Sequence, residues 1–148
     1  MPGSTGFFFL IISFLLFLGL SVCGPVGVDD RNTISDSKMT ASTINSSSYY
    51  AYYGRLNESR SQGAWCPKTA TDRTDYLQVD MGAVYSVCAV ATQGHRLGDY
   101  WTTSYKVHLS TDAVTWSSYK ENNVEKVTKI TYFTVGVAVY TEIIQLSQ

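Results

Sequence analysis

The sequence predicts an all-β fold, a β-sandwich of the jelly-roll kind, and three observations lead there. Beyond the N-terminal segment no stretch has a helical period, while several alternate apolar and polar residues with period two. Turn-forming clusters punctuate those stretches at short intervals. Eleven tyrosines against only three prolines suit strands joined by aromatic surface loops. At 148 residues the chain is long enough for one domain. Its net charge of −1 gives no general pull toward nucleic acid or an anionic surface.

The N-terminal element is a targeting segment. Phe7 to Leu20 is almost wholly apolar, interrupted by Ser13 and Gly19, which matches the core of a signal-peptide helix. It is short for a spanning helix, which needs about 20 apolar residues. Cleavage is expected after Ser21, so residues 1–21 form the leader; an uncleaved anchor is the alternative. No Lys or Arg precedes Phe7, which departs from the usual basic start. The expected location is therefore secreted and extracellular, where disulfides persist. Two sequons, Asn45-Ser46-Ser47 and Asn57-Glu58-Ser59, become glycosylation candidates there.

The strands follow in order. In Tyr76 to Met81, Leu77, Val79 and Met81 share one face, with Gln78 and Asp80 on the other. Tyr85 to Thr92 is apolar on both faces and predicts a central strand buried on both sides. In Thr103 to Ser110, Tyr105, Val107 and Leu109 alternate with Ser104, Lys106, His108 and Ser110. Trp116 to Tyr119 forms a further strand, ended by the turn signal Lys120-Glu121-Asn122-Asn123. Turns are also expected at Gly82-Ala83 and at Thr111-Asp112-Ala113.

Five motifs occur in order: Arg55-Leu56-Asn57, Gly63-Ala64-Trp65-Cys66-Pro67, Tyr76 through Gly82, Val90 through Gly94, and Thr103-Ser104-Tyr105-Lys106-Val107 leading to Ser110 through Trp116. Upstream stand Cys23-Gly24-Pro25-Val26-Gly27-Val28, Ile34-Ser35-Asp36 and Met39-Thr40-Ala41-Ser42. Each motif is weak alone. Together they resemble the discoidin domain, also called the coagulation factor 5/8 type C domain, over residues 22–126. That resemblance implies a secreted binding module which reads ligands through protruding loops at one end of a sandwich.

By resemblance, Tyr49 to Tyr53 falls on the first such loop and His95 to Tyr100 on the second. The implied ligand-binding residues are Tyr49, Tyr50, Tyr52, His95, Arg96, Leu97 and Tyr100. The implied partners are an extracellular glycan or a matrix or cell-surface protein such as collagen, with phospholipid head groups a further class; nucleic acid is not among them. Tyrosine offers a flat apolar face and a hydroxyl, which suits sugar and protein contacts. Lipid-inserting members place Trp, Phe or Leu at the tips, and only Leu97 is of that kind here. Glycan or protein recognition therefore ranks first. Packing roles compete with binding: at least one of Tyr49, Tyr50, Tyr52 and Tyr53 is expected to be buried, Tyr53 beside Gly54 and Arg55 first among them, and Arg96 can be a solvated loop charge. Trp65, Trp101 and Trp116 are expected in the core or at loop bases. Asp80 is expected to pair with Arg55. Asn57 lies in a motif where the resemblance gives it a structural role, so Asn45 is the preferred glycan carrier.

Three cysteines leave one over. The resemblance implies a bridge between Cys66 and Cys88, contributing about 3 kcal/mol through loop closure. Cys23 resembles a first cysteine whose partner normally closes the domain. No partner follows here, so Cys23 is expected to stay free or to link a homodimer. Residues 127–148 are β-prone but diverge from the family pattern, which suggests a domain incomplete at its C-terminus. Such a chain could be a non-binding structural fragment of a larger protein, the main alternative to a binding module.

Catalysis has little support. There is no His-x-x-x-His or Cys-x-x-Cys spacing and no Gly-x-Ser-x-Gly elbow. Asp75, Asp80, Asp99 and Asp112 are scattered, Asp29 and Asp30 read as solvated, and no calcium-ligand set is specified. No cofactor is expected.

Overall fold

The computed structural model describes residues 24–69, 71, 73–87 and 89–129. The expected leader, Cys23, Cys88 and the chain from residue 130 onward lie outside the described residues. Among the described residues there is no α-helix. Three short 3-10 turns occur, η1 (Asp36–Lys38), η2 (Ser47–Tyr49) and η3 (Ala51–Gly54), together with eight short strands, all paired antiparallel.

β1 (Met39–Ala41) pairs with β2 (Leu77–Val79), with Met39 opposite Val79 and Ala41 opposite Leu77. Successive side chains point to opposite faces of a strand, so Met39 and Val79 turn inward together. They join Val28, Ile34 and Ala51 in the main core. Polar side chains fasten both ends of this ladder. Lys38 pairs with Asp80 at one end. At the other, the hydroxyls of Ser42 and Thr43 each donate to Asp75 Oδ1 at 2.6 Å.

A second region comprises β3 (Ser104–Lys106), β4 (His108–Leu109), β5 (Ser117–Ser118), β6 (Lys120–Glu121), β7 (Val124–Glu125) and β8 (Val127–Lys129). β3 pairs with β8, β4 with β5, and β6 with β7. The Tyr119 N–H donates to Val107 O at 2.8 Å and the Lys126 N–H to Tyr119 O at 3.0 Å, so the pairs run on into one another. The alternation expected for Thr103 to Ser110 is present: Tyr105, Val107 and Leu109 are half-buried while Ser104, Lys106 and His108 are exposed. Asn122 and Asn123 both have positive φ, 51° and 64°, which closes the β6–β7 hairpin with a two-residue turn whose twist matches that of the strands. The expected turn is therefore two residues, and Lys120 and Glu121 belong to a strand.

The structure corrects several expectations. Tyr85 to Thr92 forms no paired strand among its described residues, and Val84, Tyr85 and Ala89 are exposed. Apolar composition alone supplied no ladder partner. Arg55 pairs with Asp36 at 3.0 Å and not with Asp80, because Lys38 lies beside Asp80 across the β1–β2 ladder. Trp65 does sit at a loop base, its Nε1–H donating to Thr43 O at 2.9 Å, but Trp101 and Trp116 are exposed.

Candidate functional site

The first loop is shaped by local hydrogen bonds. Ser46 caps η2, its hydroxyl accepting from the Ser48 N–H. η3 follows at once. Side chains three apart eclipse on a 3-10 turn, so Ala51 and Gly54 face the same way, and both are buried. That leaves Tyr50, Tyr52 and Tyr53 outside. Tyr50 is exposed and the other two, like Tyr49, are half-buried, so none of the four loop tyrosines, Tyr53 included, is buried as expected.

These three rings pack on one another, with Tyr50–Tyr52 centroids 5.4 Å apart and stacked, and Tyr52–Tyr53 centroids 4.6 Å apart edge to face. The Arg60 guanidinium lies over Tyr52 and Tyr53 at 5.3 and 5.4 Å from their centroids. Arg60 itself is held by two carboxylates, donating to Asp36 at 2.7 and 3.1 Å and to Glu58 Oε2 at 2.7 and 3.0 Å. Asp36 also takes Arg55, whose side chain is almost wholly buried and donates to Val28 O at 2.5 Å. The Arg60 hydrogen bonds hold the Asp36 carboxyl below the usual carboxylate range. Burial pushes the Glu58 carboxyl up, but Arg60 outweighs it and the net shift is down. Burial raises the Tyr52 phenol, with Tyr53 adding to it. Arg60 was not singled out from the sequence. The Glu58-x-Arg60 spacing was the available local signal, but its other contacts come from distant segments.

The second loop is closed by its own backbone. The His95 N–H donates to Tyr100 O and the Tyr100 N–H to Gly98 O, both at 2.9 Å. Inside, His95 Nδ1 accepts the Leu97 N–H at 3.2 Å. His95 is buried at 6 % exposure, while Leu97 and Tyr100 stand out at 59 % and 73 %. Arg96 is exposed, reaching Ser59 O at 3.3 Å, and among the described residues no carboxylate pairs with it. Gly63 makes room for Arg96: a Cβ there would stand 3.2 Å from its Nε.

The two loops meet at His95. Its ring centroid lies 5.9 Å from that of Tyr49 on the first loop and 5.7 Å from that of Tyr100 on its own. The expected site residues thus fall into two groups. Tyr49, His95 and Tyr100 form one, with Arg96 and Leu97 beside them. Tyr50 and Tyr52 form the other, Tyr50 stacked on Tyr52 and Tyr52 lying under Arg60. Asn57, with φ 58°, links the groups by donating its N–H to Gln93 Oε1 just before the second loop.

Asn45 and Asn57 are both exposed. Cys66 is a half-buried free thiol that burial makes less acidic; its expected partner, Cys88, lies outside the described residues. Among the described residues no cluster of three His, Cys, Asp or Glu side chains could hold a metal ion, and no helix is long and apolar enough to cross a membrane.

Comparison with known proteins places this architecture. The family model described as F5/8 type C domain matches residues 38–147, a span that takes in most of the segment expected to diverge. The chain is 38 % identical over 101 residues to the epithelial discoidin domain-containing receptor 1 of Homo sapiens, covering 65 % of this chain and 11 % of the receptor. It is 33 % identical over 116 residues to lactadherin of Sus scrofa, covering 72 % of this chain and 28 % of that protein. The lactadherin of Mus musculus is 34 % identical over 111 residues, 70 % of this chain and 24 % of that protein. The chain therefore spans between about a tenth and about a quarter of these relatives. With a family match over most of its length and an all-β architecture, this chain belongs to the F5/8 type C, or discoidin, domain family of β-sandwiches.

Proposed function

We propose that this chain is a secreted, non-catalytic recognition module that binds an extracellular glycan or protein through the paired loops 46–54 and 94–101. One observation carries this reading. Tyr50, Arg96, Leu97 and Tyr100 present exposed aromatic, cationic and apolar groups on loops joined by the Tyr49–His95 contact. Such groups on loops held by a rigid scaffold are what a recognition surface needs. Arg96 is the cation left open to a ligand, since Arg60 is already committed to Asp36 and Glu58. The apolar run Phe7 to Leu20 supports secretion. Leu97 and Trp101 are the exposed apolar residues of the second loop, and beside them the hydroxyl-bearing rings of Tyr50 and Tyr100 and the Arg96 cation favour sugar or protein over lipid insertion.

The test is a screen of the chain, secreted from a eukaryotic host, against a glycan array and a panel of collagens and matrix proteins. Tyr50→Ala and Arg96→Ala are expected to weaken the hit about tenfold, equivalent to about 1.4 kcal/mol, with the melting transition unchanged. Unaltered affinity in both folded variants refutes the site.

A further inference from the structure

We propose that His95 is a proton-operated latch: neutral, it clasps the two ligand loops together, and protonated, it releases the 94–101 loop. The inference concerns how the loops are held and stands whatever ligand they take.

The hydrogen bonding demands the neutral ring. Nδ1 accepts the Leu97 N–H, so the single imidazole proton resides on Nε2. Nε2 is sealed from solvent and has no hydrogen-bond partner among the described residues. A proton added to Nδ1 turns its acceptor into a donor aimed at another donor. The Leu97 bond is then lost, and a cation sits in a site only 6 % exposed.

The surroundings offer that cation little. From the first loop it meets the Tyr49 ring; from its own loop it meets Tyr100 and the Arg96 guanidinium, a like charge. Asp99, also on this loop, is exposed, and no ion pair joins any carboxylate to His95 among the described residues. Asp36 and Glu58, near the first loop, are committed to Arg55 and Arg60. The tyrosine faces compensate a cation only in part. Burial first and Arg96 second accordingly lower the His95 value below its ordinary 6.5.

Opening is local. Leu97 and Tyr100 already face solvent, so releasing the ring breaks the Leu97 bond and parts His95 from Tyr49 and Tyr100 without unpacking the β1–β2 core. The loop that bears the exposed contact groups would then lose its ring contact with the first loop at acidic pH, while its own backbone bonds from His95 to Tyr100 and from Tyr100 to Gly98 remain.

The experiment is an NMR titration of the isotopically labelled chain from about pH 8 to about pH 5. It follows the imidazole nitrogens of His95 and the Leu97 amide. The expected result is a joint transition with a midpoint below the ordinary histidine value, and Leu97 amide exchange, corrected for its intrinsic rate, rising about tenfold. His95→Gln abolishes the Leu97 transition, while His108→Gln on the exposed β4 strand leaves it intact. A His95 ring that titrates while the Leu97 amide stays fixed and protected overturns the latch. So does a Leu97 transition that survives in His95→Gln. Should that variant fail to fold, the wild-type titration decides alone.

Discussion

Asp36 grips Arg60 with both carboxylate oxygens, Oδ2 at 2.7 Å from Nη1 and Oδ1 at 3.1 Å from Nη2. The same Oδ1 takes Arg55. One carboxylate therefore fastens the η1 turn to the end of the tyrosine loop and to the turn after it. Bidentate guanidinium pairs add geometric restraint to charge. Asp36→Asn would leave Arg55 buried and without a countercharge. Losing one partner of a fully buried pair costs about 3–5 kcal/mol. Asp36 is about a third open to water, so screening lowers the expected loss to about 2 kcal/mol. Urea unfolding of the variant measures it; a midpoint equal to that of the parent would show the network to be ornamental.

Gly63 is set against the backbone. Its φ is +60°, and a Cβ would stand 2.6 Å from Glu58 O and 3.2 Å from Arg96 Nε. Gly63→Ala is expected to cost about 2–3 kcal/mol, combining left-handed strain with a contact that backbone cannot yield. It is also expected to push Arg96 off Ser59 and so to weaken binding at the proposed site. Gly82 supplies the control. Its φ is +75° but nothing among the described residues lies within 4 Å of an added Cβ, so Gly82→Ala carries only the conformational penalty, about 1 kcal/mol. Thermal melts of the two variants compare them directly, and equal losses would refute the steric account.

The turn at Asn122-Asn123 can be improved. Both residues hold positive φ in a two-residue hairpin, where Asn-Gly is the preferred pair. Asn123→Gly is expected to raise stability by about 0.5 kcal/mol, the relief of strain exceeding the entropy glycine adds to the unfolded chain. Asn123→Val is expected to lower it by about 1–2 kcal/mol. Denaturant midpoints of the pair report the difference, and a Val variant as stable as the Gly variant would mean that the turn does not hold this geometry in solution.

These results show which features a single sequence carries. The alternation of Tyr105, Val107 and Leu109 was legible because period two is written locally, and so was the inward placement of Val79. Tyr85 to Thr92 was misread because an apolar run signals burial without naming a ladder partner. The partner of Arg55 could not be inferred from motif pairing, since the fold brings Asp36 to it and gives Asp80 to Lys38. For the candidate site, the two loops were legible from their tyrosines and from His95 to Tyr100. Their division was not. It depends on the 3-10 period that buries Ala51 with Gly54, and on Arg60, which gathers Asp36, Glu58, Tyr52 and Tyr53 from separate turns.

Acid should act on this protein in two separable steps. The first belongs to His95. Its folded value lies below the ordinary 6.5, so its contribution is full above that value and declines as pH falls through the lowered one. The second belongs to Asp36 and Glu58. Both folded values are depressed, Asp36 chiefly by the Arg60 hydrogen bonds and Glu58 by Arg60 against an opposing burial effect. Their stabilisation is full above the unfolded carboxylate range, about 3.9–4.3, and is lost as pH falls through the folded values. Asp80 and Glu125 are also depressed, through Lys38 and Lys106; Asp80 is open to solvent and contributes less, while the half-buried Glu125 adds to this second step. Urea midpoints measured across the pH range should therefore fall once below about pH 6.5 and again below about pH 4. His95→Gln should erase the first fall and keep the second, and Asp36→Asn should blunt the second and keep the first. A single fall that neither substitution alters would show that the pH response arises elsewhere in the chain.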